Sequence, residues 1–187
     1  MRIISGFLKG QSISFFKSPA TRPLKDSVKE SIFNILAHSN IINIDLYNSN
    51  VLDLYSGIGS FGIECLSRGA KKITFVEKNE NVAKILQKNL SNLSIQKNTI
   101  VIIDEIINFL NLKQNKKFDI IFLDPPFAEK NFLKDLKLIK KNKIYENNHI
   151  VIIHREKKSN DNLEKIFKPL VIRNYGRSKI IFGKFLT

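Results

Sequence analysis

The tetrapeptide Asp124-Pro125-Pro126-Phe127 has the residue types for chemistry on a flat, amine-bearing ring. It follows Phe118-Asp119-Ile120-Ile121-Phe122-Leu123, an apolar run of the kind that forms a strand buried on both faces. Two prolines remove two backbone donors and stiffen the chain. Acceptors remain, the Asp124 carboxylate and the Pro125 carbonyl, beside the aromatic face of Phe127. Such an edge can take both hydrogens of an exocyclic NH₂ while the ring stacks on its base.

A second constellation lies upstream. Val51-Leu52-Asp53-Leu54 has strand character and runs into Gly57-Ile58-Gly59-Ser60-Phe61-Gly62, with helical spacing after it. Strand, glycine-rich turn and helix make a nucleotide-binding corner, where a ligand lies against bare main chain at a helix amino terminus. Glu77 ends the next apolar run, Ile73-Thr74-Phe75-Val76, about 20 residues past the first glycine, where a ribose needs its hydroxyls bound. Both features suit a nicotinamide-dependent dehydrogenase as well as an S-adenosylmethionine (AdoMet) enzyme. The Asp-Pro-Pro-Phe loop is explained only by the second.

These residues need a scaffold, and the pattern supplies one. Strands are expected at 51–55, 72–77, 99–103, 118–123 and 149–154. Helices are expected near 60–69, 80–92, 104–111, 130–141 and 161–167, and residues 168–175 and 179–186 read as a closing antiparallel pair around Gly176. Alternating strands and helices imply an α/β, Rossmann-like, doubly wound sheet, mostly parallel, with ligands beyond the carboxyl ends of its strands. Asp53, the turn at Gly57, Glu77, Asp104 and Asp124 all fall at such ends. Ahead of this core (41–187), residues 1–40 read as an extension. Its hairpin pairs Arg2–Ser5 with Ser12–Phe16, and its helix carries Val28, Ile32, Ile35 and Leu36 on one face, with Ser27 and Glu30 at capping-box spacing.

The net charge is +14, which favours a polyanionic partner. Lysine outnumbers arginine 25 to 6, a bias that an A/T-rich genome also produces, so position matters more than the total. Residues 1–40 hold six bases and two acids, and residues 163–187 hold six bases and one acid. One cysteine, Cys65, leaves no internal disulfide and suits a reducing cytoplasm. No apolar run reaches the roughly 18 residues of a membrane span. The start, MRIISGFLKGQS, lacks the long apolar stretch of a signal peptide. The expected setting is cytoplasmic, without a membrane and as a monomer. Scattered histidines with one cysteine offer no metal-ligand spacing.

Several motifs together carry a resemblance over nearly the whole chain. They are Arg2-Ile3-Ile4-Ser5-Gly6 with Lys9-Gly10, Thr21-Arg22-Pro23, Val28 through Leu36, Leu52-Asp53-Leu54-Tyr55-Ser56-Gly57, Glu64 through Ala70, and Asp124 through Phe127. The chain resembles the RsmD family, AdoMet-dependent methyltransferases of the N2 amine of guanine 966 in small-subunit (16S) ribosomal RNA. The resemblance implies AdoMet as donor and S-adenosylhomocysteine as product, with 16S rRNA or an assembling small subunit as partner. Another RNA or a DNA adenine stands as the alternative target. It implies Asp124, Pro125, Pro126 and Phe127 as the catalytic loop. It implies Asp53, Tyr55, Ser56, Gly57 and Gly59 around the methionine end, Glu77 on the ribose, and Asp104 as acceptor for the adenine amine. Asp104 also reads as a helix amino-cap. Arg22, Lys25, Arg173 and Arg177 are the expected RNA contacts. The chain departs from the family's pattern at Leu24 and Ser27, where the family usually has threonine and arginine, and at His154, where an acid is common.

Overall fold

A computed structural model describes residues 1–15, 24–112, 116–129 and 131–186. Its order is α1 (Asp26–His38), β1 (Asn50–Leu54), α2 (Ser60–Ser67), β2 (Lys72–Glu77), α3 (Glu80–Asn92), β3 (Thr99–Ile103), α4 (Ile106–Asn111), β4 (Phe118–Leu123), α5 (Phe132–Asn142), β5 (Tyr145–Glu156), β6 (Phe167–Tyr175) and β7 (Ser178–Phe185). The seven strands form one sheet in the order β3-β2-β1-β4-β5-β7-β6. The pairs among β1 to β5 are parallel, and those of β7 with β5 and β6 are antiparallel.

The chain leaves β1 toward β2 and β3, then crosses back to lay β4 on the other side of β1. A crevice opens where that direction reverses, beyond the carboxyl ends of β1 and β4. Asp53 faces Phe122 and Leu54 faces Leu123 across this pair, so the glycine turn and the Asp124 loop emerge side by side.

Alternate residues of each strand enter different apolar layers, as a pleated strand requires. Val51, Ile73, Phe75, Ile120 and Phe122 pack on the α2 and α3 side, while Leu52, Leu54, Val76, Ile121 and Leu123 pack with Phe132, Leu136 and Ile139 of α5. Ile3, Leu8, Ile13, Val28 and Ile32 join the first of these layers. The amino-terminal segment is also held by polar groups. Buried Glu64 in α2 accepts the Ile4 and Ser5 amides at 2.9 and 3.0 Å, and it pairs with Lys29 and Arg68. A Cβ on Gly6 would stand 1.7 Å from the Ser67 carbonyl oxygen, and φ there is +84°, so only glycine fits that approach.

Four local expectations change. Residues 161–167 form no helix: Glu164–Ile166 make a turn, and β6 begins at Phe167. β5 runs from Tyr145 to Glu156, well past both expected ends. The amino-terminal hairpin reduces to a single bridge, Arg2 with Ser12, and Phe16 lies outside the described residues. Ser27 is not a cap, because buried Leu24 draws the helix start upstream and Lys25 stands at the amino-cap. Among the described residues no helix is long and apolar enough to cross a membrane.

Candidate active site

A cavity of about 850 Å³ opens at the carboxyl ends of β1, β2 and β4. Asp53, Tyr55, Ser56, Gly57, Glu77, Asp124, Pro125, Pro126 and Phe127 all line it. The two constellations, separated in the chain, thus face one space.

The glycine turn is set by two acids. Asp53, buried at the end of β1, accepts the Gly62 amide at 3.0 Å through Oδ2. Its Oδ1 has no hydrogen-bond partner among the described residues, nor has the buried Ser56 hydroxyl. Burial pushes the Asp53 carboxyl well above the usual range; the Gly62 N–H opposes this, and the charges of Asp124 and Glu77 add to it. Glu77 accepts the Gly57 amide at 2.8 Å and the Asn79 amide at 2.8 Å. Gly57 has φ +55° and open space where a Cβ would stand, so bare backbone faces the cavity. Gly59, at φ +84°, is the amino-cap of α2, and a Cβ there would strike Leu86 at 2.3 Å.

Tyr55, with φ +60°, donates its hydroxyl to Asp135 at 2.6 Å across the cavity floor. Burial raises both groups, Asp135 above the usual carboxylate range and Tyr55 further above the ordinary phenol value. Asp135 was not expected here. Its signal is an acid within the buried stripe Phe132, Asp135, Leu136, Ile139 of α5.

The Asp-Pro-Pro-Phe loop is held from β5. Arg155, 2% exposed, donates to the Pro126 and Phe127 carbonyls at 3.2 Å each. It also forks onto Asp161 at 3.0 and 3.3 Å and lies over the Phe132 ring. The Pro125 carbonyl takes no hydrogen bond among the described residues. Asp124 Oδ1 is bonded to His154 Nδ1 at 2.7 Å. The signal for Arg155 in the sequence is a basic residue directly after the apolar run Ile150–Ile153 and His154.

Other expected residues fall elsewhere. The Asp104 carboxylate accepts the Glu105 amide and the Asn108 side chain at the start of α4, and Glu105, Ile106 and Ile107 line the cavity in its stead. Lys25 and Arg177 stand on the cavity wall, the latter paired with Glu156 at 2.9 Å. Arg173 is exposed on β6, away from the cavity, and Arg22 lies outside the described residues. Among the described lining residues six are carboxylates (Asp53, Glu77, Glu105, Asp124, Glu129, Asp135), against four bases (Lys25, Lys78, Lys134, Arg177). The cavity therefore inverts the charge balance of a chain with 31 bases and 17 acids. Among the described residues no cluster of His, Cys, Asp and Glu is arranged to hold a metal ion.

The family model "Conserved hypothetical protein 95" matches residues 1–184. A relative from Haemophilus influenzae, named Ribosomal RNA small subunit methyltransferase D, is 36% identical over 159 residues, 84% of this chain and 79% of its own. This chain belongs to the RsmD family. A second RsmD relative of the same name, from Buchnera aphidicola, is 35% identical and spans 83% of this chain and 78% of its own. Among solved structures, a putative methylase from Haemophilus influenzae superposes with a TM-score of 0.77 at 32% identity, covering 100% of this chain and 98% of that one. A putative methyltransferase from Escherichia coli gives 0.85 at 24% identity, covering 100% and 98%, which speaks to the shared fold. The α/β architecture is that of the family's methyltransferases.

Proposed function

We propose that this protein transfers a methyl group from AdoMet to the N2 amine of a guanine in small-subunit ribosomal RNA. The observation that carries this reading is the shared cavity: the bare glycine turn and the acceptor edge of Asp124 and Pro125 open into one acid-lined space. The excess of acids over bases in the lining favours a cationic sulfonium over the doubly anionic pyrophosphate of a dinucleotide. The names of the curated relatives support ribosomal RNA as substrate.

The residues present fit the donor. Gly57 leaves room for it, Glu77 has acceptor capacity for ribose hydroxyls, and the Ser56 hydroxyl and Asp53 Oδ1 are buried without partners in the wall. Bound there, AdoMet supplies a methyl group whose bond to sulfur breaks with its electrons left on sulfur. The chain's own task is placement. Asp124 and the Pro125 carbonyl accept the two N2 hydrogens and turn the nitrogen lone pair out of conjugation toward the donor. Phe127 stacks on the base. Asp124 stabilises the positive charge that grows on N2 and takes the proton shed as the new carbon–nitrogen bond forms.

Mass spectrometry of ribosomal RNA from a deletion strain tests this reading. One N2-methylguanine should vanish from the small subunit and return with the gene. An unchanged modification profile would exclude it.

A further inference from the structure

We propose that His154 is a positioning residue for this reaction, holding one oxygen of the Asp124 carboxylate so that the other faces the target amine. The proposal rests on the reading of Asp124 as that amine's acceptor.

His154 follows Ile153 on β5, and Ile153 pairs with Leu123 of β4. Its ring therefore stands beside the residue that follows β4. Nδ1 lies 2.7 Å from Asp124 Oδ1, and Nε2 lies 2.9 Å from the Ser178 hydroxyl. Ser178 opens β7, whose register with β5 sets His154 opposite Ile180 and Glu156 opposite Ser178. Ser178 is thus the diagonal neighbour on the same face, within reach of a long side chain. Phe127 meets the imidazole edge-on at 5.6 Å between centroids. The ring is buried and held on three sides.

The chemistry assigns the proton. An ionised carboxylate only accepts, so Nδ1 carries the hydrogen of that bond. In the neutral ring Nε2 then accepts the Ser178 hydroxyl, which fixes the tautomer. Asp124 Oδ1 is occupied, while Oδ2 makes no hydrogen bond among the described residues and Asp124 lines the cavity. A free carboxylate would sample rotations about its last torsion. This one presents a single oxygen, already oriented, to the place where charge develops.

Asparagine and glutamine separate the two ring nitrogens. In His154→Asn the amide nitrogen takes the place of Nδ1 and can still donate to Asp124. In His154→Gln the amide reaches the place of Nε2 and keeps only the Ser178 hydrogen bond. Transfer to small-subunit particles is measured with AdoMet binding and thermal melting in parallel. We expect His154→Gln to lower kcat about 100-fold, the scale of an ångström-sized misplacement, with AdoMet affinity and KM within about threefold of wild type. His154→Asn should recover kcat to within about tenfold of wild type. A folded His154→Gln near wild-type rate would overturn the proposal. So would Asn and Gln variants equally slow, or a loss of AdoMet binding in both, since either marks a packing role. Wild-type protein that leaves the particles unmethylated would instead overturn the function above, and the proposal with it.

Discussion

The Glu77 carboxylate, at the end of β2, accepts the Gly57 amide at 2.8 Å in the turn after β1. The acid expected on the ribose thus also holds the glycine turn that faces it. A ligand hydroxyl can add to this bond, because each carboxylate oxygen has two lone pairs.

Glu77→Ala should therefore weaken AdoMet binding twice over, through lost ribose acceptors and a loosened turn. Each hydrogen bond to the charged acceptor is worth about 1.5–3 kcal/mol. Calorimetric titration should show affinity lower by roughly tenfold to a hundredfold or more per bond. Glu77→Gln should lose less, since its amide oxygen can still accept the Gly57 N–H. Unchanged affinity in folded Glu77→Ala would refute the ribose role.

Asp124→Ala should separate chemistry from binding. It removes the acceptor of the target amine but leaves Gly57 and Glu77 in place, so turnover should fall by orders of magnitude with AdoMet affinity little changed. Asp124→Asn should keep part of the rate. Phe127→Ala should cost about 1–3 kcal/mol of base stacking, and Phe127→Tyr should be tolerated. Single-turnover transfer on small-subunit particles measures all four; a near-wild-type Asp124→Ala would move the amine site elsewhere.

Arg155→Met should be costly to the fold. It strands the Asp161 carboxylate, whose side chain is 9% exposed, and leaves the Phe127 carbonyl without its donor, while the Pro126 carbonyl keeps only the Glu129 amide at 2.8 Å. Removing one partner of such a buried pair costs about 3–5 kcal/mol. Arg155→Lys restores the charge but not the planar fork, so stability should return in part while turnover stays low. Urea unfolding, with rates taken where each variant is folded, checks both.

The basic ends should govern the salt dependence of RNA binding. Lys25→Ala and Arg173→Ala should each make the slope of log K against log salt shallower. The expected change is about 0.9 for each duplex phosphate no longer neutralised, or about 0.7 on a single strand. Arg173 is away from the cavity, so its variant should leave AdoMet affinity alone. Identical slopes would make these charges ordinary solvated surface.

His149 should give the fold an acid limit. Its Nδ1 is bonded to the Glu146 carbonyl at 2.8 Å, and its Nε2 accepts the Phe185 amide at 3.1 Å, which requires the neutral ring. Burial lowers its pKa from the ordinary 6.5, Lys184 acts in the same direction, and the Glu146 carbonyl opposes. A depressed folded value means the contribution is present above pH 6.5 and lost as pH falls through that lower value. Urea unfolding between about pH 8 and pH 5 should show stability falling below pH 6.5 more steeply in wild type than in His149→Gln, whose amide cannot titrate. Matching slopes would exclude this role.

The amino-acid sequence by itself determined the sheet and the chemical edge. Runs such as Phe118–Leu123 and Ile73–Val76 have the short length and the β-branched and aromatic content of strands in a buried sheet. Gly57 and Gly59 mark the turn through their backbone freedom, and Pro125-Pro126 stiffens its loop by covalent geometry. These are local properties, written within a few residues. The tertiary structure decided which side chains serve that edge. Arg155 reaches Pro126 and Phe127, His154 reaches Asp124, and Tyr55 reaches Asp135, pairings that depend on β5 lying beside β4 and on α5 packing against the face that carries Leu52 and Leu54. It also turned Asp104 onto its own helix. The segment at 161–167 gives no helix where Asp161 is bound by Arg155 and β6 starts at Phe167. A hydrogen bond between residues 28 to 80 positions apart leaves no periodicity in the chain. Only strand order brings such partners together, and strand order is set by how whole apolar faces pack.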